Sequence, residues 1–180
     1  MAASKLISQN QPIVAQIASN DDQCEYFHQK GKEKGELQDY EGAVQEFNEA
    51  LRINPNNDKS YVSRGVSRYN LGDIQGALDD YNKAISINPN NDKAYYNRGF
   101  IRRKLEDKDG ALKDYSEAIR LNPENAKAYN NRGLLRAVML DIKGGIEDLE
   151  KSVKLFMEQG DIASYKRVLH ELNTLKYEKV

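Results

Sequence analysis

The chain has 180 residues, 31% of them charged, and Lys+Arg 27 against Asp+Glu 28 leaves a net charge of -1. That length suits one compact domain or one short array of repeats. So balanced a charge supplies no overall field to draw in nucleic acid or an anionic membrane, and a mean hydropathy of -0.81 without a long apolar run excludes a membrane-spanning helix.

At the N-terminus, "KLISQNQPIVAQIA" breaks its apolar clusters with polar residues and Pro12, which does not make the continuous apolar core of a signal peptide. Residues 1–23 read as a tail or a short helix. The single cysteine, Cys24, excludes an internal disulfide and fits a reducing compartment. A cytoplasmic location is the expectation.

From there the chain repeats itself. Glycines recur every 34 residues at Gly31, Gly65, Gly99 and Gly133. Ala43, Ala77 and Ala111 follow at one offset, then the rings Phe47, Tyr81 and Tyr115, then Ala50, Ala84 and Ala118, then Pro55, Pro89 and Pro123. Each unit reads as two helices, because its small and apolar positions return every three or four residues. In the third unit these are "DKAYYNRGFIRRKL" and "DGALKDYSEAIRLN". Asp39, Asp73, Asp107 and Asp141 hold one place between the helices, where a short carboxylate caps the second helix. The residue before each proline is pushed out of the α region, which ends the unit.

The fourth unit begins with Tyr129 and Gly133 and then departs: Gly145 replaces the alanine, Leu149 the ring and Ser152 the later alanine. Its second helix is expected to run to about Gln159. A last helix would carry Ile162, Tyr165, Leu169, Leu172 and Leu175 as one apolar stripe. An array needs a terminal element to cover its open apolar end, and this helix is read as that cap.

The pattern of ring, Gly, Ala, ring, Ala and Pro at a 34-residue period resembles the tetratricopeptide repeat. "YYNRG" with "GALKDYSEAIRLNP" looks most like the bacterial, especially cyanobacterial, variety. The resemblance implies an all-α fold: a right-handed α-α superhelix of helix-turn-helix units with a C-terminal capping helix. The expected repeats are 24–57, 58–91, 92–125 and 126–159, followed by a cap over 160–180.

Arg64, Arg98 and Arg132 recur, with Arg68, Arg102 and Arg136 one turn later; Glu46, Asp80, Asp114 and Asp148 recur in the second helices. Opposite charges at fixed positions predict ion-pair ladders along the stack. An anion-binding arginine row is the functional alternative, which the matching acids disfavour.

In the resembled family the first helix of each unit lines a concave groove, which implies partner-facing residues here. The second unit supplies Lys59, Val62, Ser63, Val66 and Tyr69. The third supplies Lys93, Tyr96, Asn97, Phe100 and Arg103. The fourth supplies Lys127, Asn130, Asn131, Leu134 and Val138, and the first would add Glu25, His28, Gln29 and Lys32. Gln29, Ser63, Asn97 and Asn131 share one register position, and an amide there can donate to and accept from a partner backbone. Lys59, Lys93 and Lys127 form a basic rail beside an apolar floor, which suits an extended or helical peptide carrying acids.

Chaperone-binding relatives hold a terminal carboxylate with Lys, Asn, Asn, Lys and Arg across three repeats. This chain offers His28, Lys32, Ser63, Lys93 and Asn97 in one frame. The next gives Val62, Val66, Asn97, Lys127 and Asn131, so a chaperone tail is disfavoured.

One cysteine and two histidines do not make a four-ligand metal site, no phosphate-cradling glycine loop occurs, and no nucleophile has a positioned base. No cofactor and no catalytic residue are predicted. The reading is a non-catalytic scaffold that binds a protein segment, as monomer or weak homo-oligomer. Its alternatives are a self-associating array and a helical-repeat RNA binder.

Overall fold

The computed structural model describes residues 19–177. Among them lie nine α-helices and no strand. They divide into two compact units, one ending at Ile87 and the other starting at Asn88. The first contains α1 (Asn20–Glu36), α2 (Tyr40–Ile53), α3 (Asp58–Asn70) and α4 (Ile74–Ile87). The second contains α5 (Asp92–Lys104), α6 (Lys108–Leu121), α7 (Ala126–Val138), α8 (Ile142–Glu158) and α9 (Ile162–Tyr177). Within each unit every helix packs on the next in the chain. Most of the N-terminal stretch, including "PIVAQIA", lies outside the described residues. The part that is described joins α1, whose N-cap is Ser19.

The hairpins are made by a short, repeated piece of backbone chemistry. In the α1–α2 turn Gln38 takes φ 62°, and the Asp39 N–H reaches back to the Lys34 carbonyl at 2.9 Å. The same bond recurs from Asp73 to Arg68, Asp107 to Arg102 and Asp141 to Arg136, each at 2.9 Å. A left-handed residue followed by such a bond satisfies the last carbonyls of the first helix. Each Asp then accepts a hydrogen bond from the N–H three residues on: Gly42, Gly76, Gly110 and Gly144, at 2.9, 2.9, 2.9 and 3.0 Å. The expected caps are therefore present. Only Gly72 supplies glycine at the left-handed place in these four turns; Gln38, Glu106 and Leu140 adopt it with side chains.

A second set of caps starts α3, α5 and α7. Asn57, Asn91 and Asn125 accept from the N–H groups of Ser60, Ala94 and Ala128 at 2.9, 3.0 and 3.0 Å. The "NPNN" and "NPEN" runs thus end one hairpin at the proline and begin the next at the last asparagine.

Packing within hairpins rests on ring against glycine. A Cβ on Gly31 would come 2.6 Å from the Phe47 ring, and one on Gly65 2.6 Å from the Tyr81 ring. On Gly99 it would meet the Cβ of Asp114 at 3.0 Å and the Tyr115 ring at 3.1 Å. In α7–α8 a smaller Leu149 replaces the ring, and the contact becomes backbone on backbone: a Cβ on Gly145 would lie 2.9 Å from the Gly133 carbonyl. The departures of the fourth hairpin therefore go together. Ser152 is fully buried and donates to the Ala126 carbonyl at 2.9 Å, so the hydroxyl that replaces alanine carries no unmet cost.

The cap stripe needs one correction. Ile162 is 53% exposed, whereas Val168 and Leu172 are buried against Leu155 and Phe156, with Tyr165 and Leu175 beside them. Val168 falls between the expected positions because α9 meets α8 along a slightly rotated face.

The charge pattern also resolves differently from a ladder along the stack. Arg64 grips Asp80 with two bonds of 2.9 and 2.6 Å, and Arg68 joins at 3.0 Å. Arg98 and Arg102 hold Asp114 in the same way, and Arg132 and Arg136 hold Asp148. Each clamp lies inside one hairpin, because acid and arginines occupy facing helices of the same unit. The three carboxylates are 2–4% exposed, so these are interior pairs and not surface rungs. The rings of Tyr61, Tyr95 and Tyr129 lie under Arg64, Arg98 and Arg132, at 5.3, 5.5 and 5.6 Å.

Candidate functional site

With six arginines committed to structure, the candidate partner-facing residues are the remaining side chains of the odd-numbered helices. In the first unit, α3 carries the expected residues Lys59, Val62, Ser63, Val66 and Tyr69. Lys59 and Val66 are exposed, Ser63 and Tyr69 are half-buried, and Val62 is 7% exposed and faces the interior. His28 does not face a partner either. Its Nδ1 lies 2.8 Å from the Ser60 hydroxyl, and burial holds its pKa below the ordinary histidine value. Beside it the Asn57 amide donates to the Cys24 sulfur at 3.2 Å. Cysteine and histidine thus join α1 to the start of α3.

In the second unit the residues come together more closely. Lys93, Tyr96, Asn97 and Lys127 border one open cleft of about 390 Å³, with Asp92 and Asp161 at its edge. The Asn131 amide donates to the Tyr96 hydroxyl at 3.2 Å, linking α7 to α5. Phe100 lies under the Arg103 guanidinium at 5.8 Å and the Lys104 ammonium at 5.4 Å. Tyr96 packs beside Tyr115 with ring centroids 6.1 Å apart. Burial raises the Tyr96 pKa, while the Asn131 bond and the charges of Arg103 and Arg167 pull it down.

Two expected residues are withdrawn from this face. Asn130 is 4% exposed, and Leu134 is half-buried in the apolar cluster that includes Val168 and Leu172 of α9. The capping helix takes the place that a further repeat would leave open. Lys127 and Asn131 remain available at the other edge of α7.

Asp161 caps α9 through the Ser164 N–H at 3.0 Å, and that bond, with Lys127 and Arg167 nearby, depresses its pKa. Among the described residues no group of three His, Cys, Asp or Glu side chains could hold a metal ion. No helix there is long and apolar enough to cross a membrane.

Comparison with known proteins agrees with the helical arrangement. A family model described as TPR repeat matches residues 31–72 and 67–105, and one described as tetratricopeptide repeat matches 92–125. Together they span residues 31–125, more than half the chain. Among solved structures, the OM64 TPR domain of Arabidopsis is 30% identical, with a TM-score of 0.64 over 66% of this chain and 98% of that one. MamA from Desulfovibrio magneticus RS-1, residues 41 to the end, is 21% identical over 89% and 98%, with a TM-score of 0.67. The first TPR of Spaghetti (RPAP3), solved with the HSP90 peptide SRMEEVD, is 24% identical over 69% and 97%, with a TM-score of 0.63. At those lower identities the likeness is one of fold. No curated protein matches the chain in sequence.

Proposed function

The chain belongs to the tetratricopeptide-repeat family, whose repeats serve as protein-interaction scaffolds, and from that premise we propose that it holds an extended or helical segment of a partner protein on the α5–α7 face. Its role is that of a non-catalytic adaptor or assembly factor, and its lone cysteine suits a cytoplasmic setting. The observation that carries the reading is the cluster of half-buried Tyr96, Asn97, Phe100, Arg103 and Asn131 beside exposed Lys93 and Lys127. Aromatic floor, amide edge and basic rim are what an acidic peptide segment needs: area to bury, backbone partners and charge to steer it. Ser63, Val66, Tyr69 and Lys59 offer a smaller set of the same kind on α3.

An RNA-binding reading would need the recurrent arginines to be free. They are held by Asp80, Asp114 and Asp148, which disfavours it. The chaperone peptide in the Spaghetti complex belongs to that protein; here His28 is buried and the remaining clamp positions are largely replaced.

Replacing Asn97, Phe100 and Asn131 together by Ala tests the reading. Capture of partner proteins from a lysate is expected to be lost while helical circular dichroism is unchanged. Undiminished capture by the triple variant would move the interface to another face.

A further inference from the structure

Arg103 breaks the repeat. The equivalent positions, 34 residues apart, hold Gly35, Tyr69 and Ala137. The six recurrent arginines each have a buried carboxylate, but among the described residues no carboxylate lies within ion-pair distance of Arg103. Its Nε–H is buried without an acceptor. The hydroxyl of Tyr115 is also buried with no acceptor for its O–H, at the end of a ring that is 0% exposed. The two are neighbours: Arg103, by its charge and by a hydrogen bond to the phenol oxygen, pulls against the effect of burial on Tyr115, and the phenol O–H is left to donate elsewhere.

Two unmet donors beside one uncompensated charge are costly in a protein interior, where polar groups are nearly always paired. The acids nearby are engaged elsewhere: Asp114, which Tyr115 feels, is held by Arg98 and Arg102, and Glu171 faces Arg167. Tyr96, in ring contact with Tyr115, feels the positive charges of both Arg103 and Arg167. Burial pushes the Tyr115 phenol well above its ordinary range, so it stays protonated and able to donate at neutral pH. A ligand that meets these demands must accept hydrogen bonds and carry negative charge.

We propose that Arg103, with the hydroxyls of Tyr115 and Tyr96, forms a receptor for one side-chain carboxylate of the bound segment, a Glu or Asp. This rests on the reading of the α5–α7 face as a peptide site and deepens it. The clamps position the face, and the non-periodic arginine selects what lies on it. A guanidinium offers a planar fork to a carboxylate, so the pocket favours a carboxylate over a neutral amide of the same shape.

The test observes the donor itself. The arginine Nε–H resonances of the full chain are followed by NMR during titration with N-acetyl-glutamate amide, N-acetyl-glutamine amide and sodium chloride. The Arg103 signal is expected to move saturably with the glutamate probe alone. Tyr115→Phe is expected to weaken that response about tenfold, the loss of roughly one charge-assisted hydrogen bond. Equal responses to glutamate, glutamine and chloride, or none to any, would overturn the proposal. Arg103→Lys keeps the charge but removes the fork and is expected to weaken the site; unchanged affinity in that variant also overturns it. If capture from lysate survives the Asn97, Phe100 and Asn131 substitutions while the Arg103 signal still selects glutamate, the peptide reading falls and the carboxylate receptor stands. If capture is lost in that triple variant but the Arg103 signal is indifferent to glutamate, only the receptor falls.

Discussion

The first hairpin and the three after it solve one problem with different residues. Where α3–α4, α5–α6 and α7–α8 pair two arginines with a buried Asp, α1–α2 has Lys30 and Lys34 with Glu46 at the same register. The Lys34–Glu46 contact is as short, 2.7 Å, but the Glu46 side chain is 12% exposed against 3% for Asp114. Two flexible ammonium groups approach one oxygen, whereas Arg98 presents two parallel donors to both oxygens. A guanidinium fork on a tyrosine ring can desolvate a carboxylate and still satisfy it; an ammonium keeps its own water and leaves the acid nearer the surface. What repeats is therefore a charge pattern, while the depth of burial depends on which cation carries it.

The largest expected effect breaks that contrast from the buried side. Asp114→Ala removes the buried carboxylate that Arg98 and Arg102 share, leaving Arg102 the more exposed Asp107 at 3.6 Å, and is expected to cost about 3–5 kcal/mol, the range for removing one partner of a buried pair. Thermal or denaturant unfolding measures it. A loss no larger than that of an ordinary surface substitution would mean that the clamps are solvated and the comparison is empty.

A smaller effect is expected where helices touch. Gly99→Leu forces a side chain into the space beside Asp114 and Tyr115 and is expected to cost about 1–3 kcal/mol. The same change at Gly31 meets the Phe47 ring at a shorter distance, so the first hairpin is expected to tolerate it less well. Melting midpoints of the two variants give the order directly, and the reverse order would show that Phe47 gives way more easily than Tyr115.

Much of this was legible in the chain. The 34-residue period, the Asp caps and the family follow from small residues and turn chemistry, which act locally and depend little on distant parts. The cationic and acidic positions were legible too, but not the partners they would choose. Facing helices of one hairpin bring position 98 to 114, and periodicity alone could not tell that pairing from a ladder between hairpins. The withdrawal of Asn130 and Leu134 was hidden because α9 does not follow the repeat pattern, so its seat on α7 and α8 depends on packing. Ile162 and Val168 were exchanged for the same reason. Arg103 carried a readable signal, a charged side chain at a position that its repeats fill with Gly, Tyr and Ala. Nothing local revealed that it lacks a counter-ion.

The smallest expected effect returns to the first hairpin and separates the two kinds of pair. Glu46→Ala removes a partly solvated acid from Lys30 and Lys34, and those ammonium groups can turn to water instead. Its cost is expected to be a minor fraction of that of Asp114→Ala, since surface pairs contribute little. Salt sharpens the distinction. At 1 M the screening length falls to about 3 Å, so whatever Glu46 contributes is expected to fade between 0.1 and 1 M salt. The loss caused by Asp114→Ala is expected to persist, because ions do not enter the space between Arg98 and its carboxylate. Denaturant unfolding of both variants at the two salt concentrations reads this difference. Equal salt sensitivity would mean that Lys–Glu and Arg–Asp pairs are exposed alike, and that the change of cation between hairpins has no consequence for stability.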